Sequence, residues 1–314
     1  MVQHSGDDVR GLLDTIGGTP LVRLGPTVPE GAAEIWVKVE GANPTGSYKD
    51  RMALSVVTAA LERGDVDPGD TIVEYTGGST GTSMAFVCAM LGLHFTAVFS
   101  DAFSPSKKQA MEAFGATVLT EPSHGLGITP ELAGRMRDHA YALADQPGHY
   151  YADQFGSPDV RRGYAPIGSE IAAQLGGDVD VLCAAVGTGG ALMGTLDGLH
   201  AAGVTPAAVA VEPAESPMLS TGVPGSHRVE GVAVFPEPPF LTRSALHGVR
   251  AVEQERAFAM CRQLARTEGI LGGGSTGLNV AAAIELAVEL GPGHRVVTFA
   301  CDSGLKYLGG EIYS

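Results

Sequence analysis

Basic residues are scarce in this 314-residue chain: 20 lysines and arginines stand against 35 acids, a formal charge of −15. A surface of that sign repels phosphodiester backbones and anionic lipid, which sets nucleic-acid and membrane-surface roles aside. Cysteines number four, Cys88, Cys183, Cys261 and Cys301, and no two of them form a C-x-x-C pair. Neither a disulfide framework nor a zinc or other metal site is expected. Each thiol is expected as a small buried apolar group in a reduced cytoplasm. No apolar run is long enough to span a bilayer. The start, MVQHSGDDVRGLL, lacks a basic stretch followed by an apolar one, so no signal peptide is expected, and no regulatory module is expected beyond Ser314. Low-complexity linkers, blocks of like charge and any repeat of about 20–50 residues are missing too, which excludes a solenoid.

What is present is a chain that is 44% hydrophobic, long enough for one large domain or two ordinary ones. Short β-branched runs alternate with helical patterns. "TIVEYT" leads into "GTSMAFVCAMLG", and "FTAVFS", "SPSKKQAMEAFG" and "ATVLT" repeat the rhythm. "DVLCAAVG", "GGALMGTLDGLHAAG", "AAVAVEP" and "RVVTFAC" follow later. Apolar runs of this length between helices are expected of parallel strands covered on both faces, so the class is α/β with right-handed crossovers. The Pro- and Gly-rich segment Ser216 to Leu241 reads as a long surface loop.

Three strand-to-helix junctions are rich in glycine: "EYTGGSTGTS", "AVGTGGALMG" and "ILGGGSTGLN". Small residues there let backbone N–H groups approach a ligand, and the helix that follows adds a positive dipole end, so each can bind an anion or be only a tight turn. The pentapeptide GGSTG occurs in two of them, at Gly77 to Gly81 and Gly273 to Gly277. Nucleotide binding is disfavoured. "GGGSTG" matches G-x-G-x-x-G formally, without a clear strand before it or a ribose-binding acid after it, and no Walker A sequence occurs. The remaining feature is "ANPTGSYKDR", a turn that delivers Lys49 to the start of the helical pattern "YKDRMALSVVTAALERG". An ammonium near a helix N-terminus is electrostatically disfavoured. The position lowers its pKa and favours the free amine that a Schiff-base lysine needs; the alternative is a surface lysine paired with Asp50.

"TIGGTPLVRL", "NPTGSYKDR" and "GTGG", in this order, resemble the pyridoxal-phosphate β-family (fold type II, tryptophan synthase β-like), and within it the cysteine synthase/cystathionine β-synthase group. "KKQAMEAFGATVLT", "DQFGSP", "AVEPAESP", "EGILGGGSTG" and "DSGLKYL" extend the similarity from about Thr15 to Leu308. The resemblance implies two open, mainly parallel twisted sheets flanked by helices, with pyridoxal 5′-phosphate in the cleft between two domains. A large domain would comprise residues 1–43 and 155–314, and a smaller mobile one residues 44–154. Lys49 matches the lysine that carries the cofactor. Gly187, Thr188, Gly189 and Gly190, with Ala191, match the loop that grips its phosphate, and Ser303 matches the serine at the pyridine nitrogen. Thr76, Gly77, Gly78 and Thr80 match the loop for the substrate carboxylate, with Gln154 and Gly231 on the substrate side. By this reading the first GGSTG is a substrate loop and the second a turn of the large domain.

The implied activity is β-replacement on an O-activated L-serine, such as O-acetylserine, by sulfide or another nucleophile through an aminoacrylate, with Lys49 as general base, in a cytoplasmic homodimer. The alternatives are β-elimination (serine/threonine dehydratase, cysteine desulfhydrase or serine racemase), a specialised non-protein amino-acid synthase, and a cofactor-free scaffolding relative, against which the presence of Lys49 argues. Three stretches depart from the group. The first loop usually reads T-S-G-N-T-G, where Gly77 and Ser79 stand here; Ser79 keeps a donor toward the cofactor's 3′ oxygen but reaches less far than an amide. Ala191 replaces a threonine, and "RRGYAPIGSEI" replaces a stretch with a histidine and "TTGPE". The small pair Gly77 and Ser79 is expected to leave extra room beside the substrate.

Overall fold

Short strands alternate with helices over most of the chain, in the order the sequence predicts. A computed structural model describes residues 11–127, 129–232 and 238–314; the first ten residues of the stretch read for a leader, and part of the Ser216 to Leu241 segment, lie outside them. The elements are β1 (Leu21–Arg23), β2 (Glu34–Val39), α1 (Lys49–Arg63), β3 (Thr71–Tyr75), α2 (Ser79–Leu91), β4 (His94–Ser100), α3 (Pro105–Ala113), β5 (Thr117–Glu121), α4 (Pro130–Ala144) and β6 (His149–Tyr151). They continue as α5 (Pro158–Leu175), β7 (Val181–Ala185), α6 (Gly190–Ala201), β8 (Ala207–Pro213), α7 (Met218–Thr221), β9 (Leu246–Val252), α8 (Gln254–Thr267), α9 (Gly274–Leu290) and β10 (Arg295–Ala300).

Two sheets form, as expected. The larger has the order β1-β2-β10-β7-β8-β9 and the smaller β5-β4-β3-β6. Every pairing is parallel except β1 with β2. The inner strands β7, β8 and β10 of the larger sheet are covered on both faces. In β7, Leu182 and Ala184 enter one buried cluster while Val181 and Cys183 enter the other; in β10, Val297 and Phe299 divide from Val296 and Ala300 in the same way. That explains the apolar runs, because a strand buried on both sides has no polar face to alternate with. The first cluster also takes in Met52, Met84 and Phe86, so it ties the helices of the smaller sheet to the larger one.

The departure at "RRGYAPIGSEI" falls on α5, where it serves close packing. A Cβ on Gly168 would stand 2.1 Å from the carbonyl oxygen of Thr195 on α6, and one on Gly198 of α6 would stand 1.9 Å from the carbonyl oxygen of Ala165, so the two helix backbones meet because glycine stands at these contacts. Among the described residues no helix is long and apolar enough to cross a membrane. All four cysteines are free and buried.

Candidate active site

In open parallel sheets, ligands collect outside the carboxyl ends of strands where the strand order reverses. Here β7 and β10 are neighbours although α6 carries the chain from β7 toward β8, and β3 lies between β4 and β6. The predicted residues sit at these two reversals.

Lys49 is delivered by a hydrogen-bonded turn. The N–H and hydroxyl of Thr45 donate to the Asp50 carboxylate at 2.8 and 2.5 Å, which closes the turn and leaves Asp50 engaged with Thr45 rather than with Lys49. Ser303 N–H donates to the Gly46 carbonyl (2.9 Å) and Tyr48 N–H to the Cys301 carbonyl (3.0 Å), so the turn is laced to the end of β10. Lys49 then opens α1, with Nζ 5.1 Å from the centre of the Tyr48 ring and 5.9 Å from that of Tyr164. Burial among these rings pushes its pKa down to about 8, against a smaller opposing pull from Asp302. Burial is thus the main cause of the shift that the sequence suggested from the helix start alone.

Facing Lys49 across a small cleft are Gly187, Thr188, Gly189 and Ala191. Gly189 precedes α6 at φ 84, a left-handed conformation that glycine adopts without penalty. A Cβ on Gly187 would lie 2.6 Å from the carbonyl oxygen of Gly231, and one on Gly189 2.8 Å from the nitrogen of Leu241, so both positions need bare backbone. The result is a glycine cradle at the N-terminus of a twelve-residue helix opposite a lysine amine. That fits a phosphate-bearing aldehyde such as pyridoxal phosphate, with N–H groups for the phosphate and the amine for the carbonyl carbon. Ala191 is buried and presents a methyl group where the related group has a hydroxyl. Ser303 follows β10, and its hydroxyl accepts from Leu305 N–H at 3.3 Å, which leaves its own hydrogen free to donate to a ring nitrogen.

The second GGSTG is a support for this cradle. From α9, Asn279 accepts from Ala185 N–H at 2.6 Å and donates to the Phe299 carbonyl at 2.9 Å, tying the end of β7 to the end of β10. Thr276 accepts from Cys301 N–H at 3.2 Å. An Asp302 carboxylate oxygen stands 2.6 Å from where a Cβ on Gly273 would be, and the other oxygen accepts from the Tyr307 hydroxyl at 2.5 Å. The start of α9 therefore packs against the protein's own carboxylate. The two GGSTG stretches have different surroundings and different work.

The first GGSTG joins β3 to α2, with Ser79 as the first residue of the helix. The Thr76 hydroxyl accepts from Gly78 N–H (3.1 Å) and Gly81 N–H (3.2 Å), and the Thr80 hydroxyl donates to the Gln154 side-chain oxygen (2.8 Å). The Gln154 side chain also donates to the Tyr75 carbonyl at 2.9 Å, so Gln154 sits against the loop as expected. Sequence reasoning missed Glu74, which holds the two together. Its buried carboxylate accepts from Gln154 N–H at 2.8 Å and Tyr75 N–H at 2.9 Å. Burial pushes its pKa up to about 8 despite those donors. The expectation of extra room at Gly77 needs correction. A Cβ there would lie 2.6 Å from the ring of Phe103, and one on Gly78 2.1 Å from Cδ of Lys107. Phe103 and Lys107 occupy the space that the small residues leave. No local pattern could have revealed this, because the fillers come from the next strand–helix connection.

A more open depression, lined by Arg23, Leu24, Gly25, Val28, Pro29 and Glu34, contains none of the predicted residues. Among the described residues no group of three or more His, Cys, Asp or Glu could hold a metal ion. Comparison with known proteins agrees with the geometry. The chain is 36% identical to a cysteine synthase of Staphylococcus aureus over 98% of its own length and 97% of the relative's. It is 37% identical to the O-ureido-L-serine synthase of Streptomyces lavendulae, over 95% and 90% of the two chains. A crystal structure of O-ureido-L-serine synthase superposes with a TM-score of 0.90 at 36% identity, covering 97% of this chain and 95% of that one. A family profile described as "Pyridoxal-phosphate dependent enzyme" matches residues 12–302, and with Lys49 set opposite the glycine cradle the chain belongs to that family.

Proposed function

We propose that this enzyme replaces the β-substituent of an O-activated L-serine, such as O-acetyl-L-serine, with sulfide or another nucleophile. The observation that carries the reading is a low-pKa lysine amine facing a glycine cradle at Gly187–Gly189, in a chain whose loop at Thr76–Thr80 is read as the substrate loop. When bound, pyridoxal phosphate supplies the electron sink that acidifies the Cα–H of an amino acid. The protein supplies the rest. Lys49 Nζ accepts the Cα proton, which its lowered pKa allows near neutral pH. Backbone N–H groups of Gly77 and Thr80 with the Thr76 hydroxyl hold the substrate carboxylate beside Gly78, whose own N–H donates to Thr76, and Gln154 steadies Thr80. Gly187, Thr188, Gly189 and Gly190, with Ala191, would hold the cofactor phosphate, Ser303 would donate to its ring nitrogen and Ser79 to its oxygen substituent. Gly231 borders the substrate. Residues 44–154 close as the smaller domain over residues 1–43 and 155–314 and exclude water. The proposed form is a cytoplasmic homodimer acting on a small amino-acid substrate.

Similarity to both a cysteine synthase and an O-ureido-L-serine synthase supports a β-replacement in which the nucleophile is open. The test is product analysis by mass spectrometry with O-acetyl-L-serine plus sulfide or hydroxyurea. A substituted alanine is expected. Pyruvate and ammonia as the sole products would favour β-elimination. Sedimentation at micromolar concentration tests the dimer.

A further inference from the structure

Lys107 is a buried cation whose partner lies on the other sheet. It sits in the first turn of α3, 6% exposed, with its aliphatic stem laid over Gly78 of the Thr76–Thr80 loop. Nζ lies 5.5 Å from the centre of the Tyr307 ring and donates to the Glu230 carboxylate. Burial pushes the Lys107 pKa down to about 8, with the Asp302 carboxylate pulling the other way and the Lys306 ammonium adding to the fall. Glu230 immediately precedes Gly231, whose carbonyl oxygen backs onto Gly187. The pair thus spans the cleft from the substrate loop of the smaller sheet to the cradle of the larger one. Its two halves differ in access: the lysine is hidden, while the Glu230 side chain is 43% exposed. The neighbouring cation, Lys306, shares the pull of Asp302 and is drawn toward Asp50 as well. The exposed member of the pair is thus a carboxylate fixed by a concealed ammonium.

We propose that Lys107 and Glu230 form a charge filter for the side-chain end of the substrate, admitting a neutral activated serine and turning away an anionic one. The inference rests on the β-replacement reading. A serine held by its carboxylate on the Thr76–Thr80 loop and by its amine beside Lys49 has only its side chain left to point at the pair. An acyl ester meets the Glu230 carboxylate without electrostatic penalty. A phosphate ester carries about −1.5 to −2 charges and meets a like charge that is already anchored. Removing the carboxylate reverses the sign, since Lys107 would then lose its direct partner, keep only the pull of Asp302 that it shares with Lys306, and offer an ammonium, which is a phosphate binder.

The experiment compares kcat/KM of the holoenzyme for O-phospho-L-serine and O-acetyl-L-serine, each with sulfide, in wild type, Glu230→Gln, Lys107→Met and the double variant. Glu230→Gln is expected to shift the ratio toward the phosphate ester by about tenfold or more, and adding Lys107→Met to remove that gain. A ratio that moves less than about twofold in Glu230→Gln, or an equal gain in the double variant, overturns the filter. If the wild type turns over neither ester, the β-replacement reading fails by itself. The filter is then decided by calorimetric dissociation constants for O-phospho-L-serine on the same four proteins. Tighter binding to Glu230→Gln alone supports it, and equal binding by all four overturns it.

Discussion

At the scale of single residues, the site is a set of spaces as much as a set of groups. Gly77 marks the place where the Phe103 ring lies, so Gly77→Ser puts a Cβ 2.6 Å from Phe103 Cε1 before the hydroxyl is considered. Overpacking of this kind costs about 1–3 kcal/mol. Gly77→Ser is therefore expected to lower stability in urea by that amount, and Phe103→Ala in the same chain to recover most of it; a Gly77→Ser protein as stable as wild type would show that the loop shifts freely. Lys49 gives a second test. With its pKa near 8 against about 10.4 for an ordinary lysine, its free-amine fraction at pH 7 is about one in ten instead of one in a few thousand. Reductive methylation of the cofactor-free protein, followed by peptide mass spectrometry, should show Lys49 half-maximal near pH 8 and falling about tenfold per pH unit below that. An onset near pH 10 would contradict the burial argument. Lys49 was legible in the sequence because the turn that delivers it, from Asn43 to Asp50, is local, although its lacing to the end of β10 is not. Lys107 and Glu230 were not, because their pairing joins positions 123 residues apart.

At the scale of elements, the strands that read most clearly are those buried on both faces, and their helices read almost as well. β3, β4, β7, β8 and β10 all carry short apolar runs, interrupted in β3 by Glu74, in β4 by Thr96 and in β10 by Thr298. The short β1 and β6, three residues each, leave no such trace, since they are defined by their neighbours β2 and β3 rather than by their own composition. Helix α9 shows where a correct element can hide its purpose. It begins in a stretch spelled like the substrate loop, yet its Asn279 fastens the strand that leads to the phosphate cradle to the strand that leads to Ser303. Asn279→Leu keeps the size of the side chain and leaves the Ala185 N–H and the Phe299 carbonyl without their side-chain partner. An unsatisfied buried group costs about 1–3 kcal/mol. The expected result is a loss of that order in denaturant titration, together with weaker retention of pyridoxal phosphate on dialysis. A variant that loses stability and keeps full cofactor affinity would show that α9 supports the fold but not the spacing of the cradle.

At the scale of the whole molecule, the predicted class and the two mainly parallel sheets were legible from strand and helix rhythm plus resemblance, whereas the polar network that seats Lys49's helix on the larger sheet was not. Arg51, two residues beyond Lys49, donates to Glu40 at 2.7 and 2.9 Å and to Glu170 on α5 at 2.7 and 2.9 Å. Lys38 on β2 joins through Glu170 at 2.7 Å and donates to the Thr19 carbonyl at 2.6 Å. The group links the turn at Gly17–Thr19, β2, α1 and α5, so "TIGGTP" and "KDR" form one assembly although 30 residues separate Thr19 from Lys49. Burial pushes the Glu170 pKa up, but the hydrogen bonds and charges of Arg51 and Lys38 outweigh it and hold the group down to about 2, from 4.5 in the unfolded chain. The sign follows from that order: the stabilisation is complete above pH 4.5 and is lost as pH falls through about 2. Glu170→Gln removes the titrating group and leaves Arg51 with half its partners. Breaking a buried pair in this way costs about 3–5 kcal/mol near neutral pH, less here because the Glu170 side chain is 21% exposed. Measured in urea at a series of pH values, wild type should exceed Glu170→Gln at pH 7, with the difference shrinking below pH 4.5 and nearly gone as pH approaches 2. A difference that stays constant between about pH 6 and pH 3 would mean that Glu170 holds α1 and α5 by shape rather than by charge.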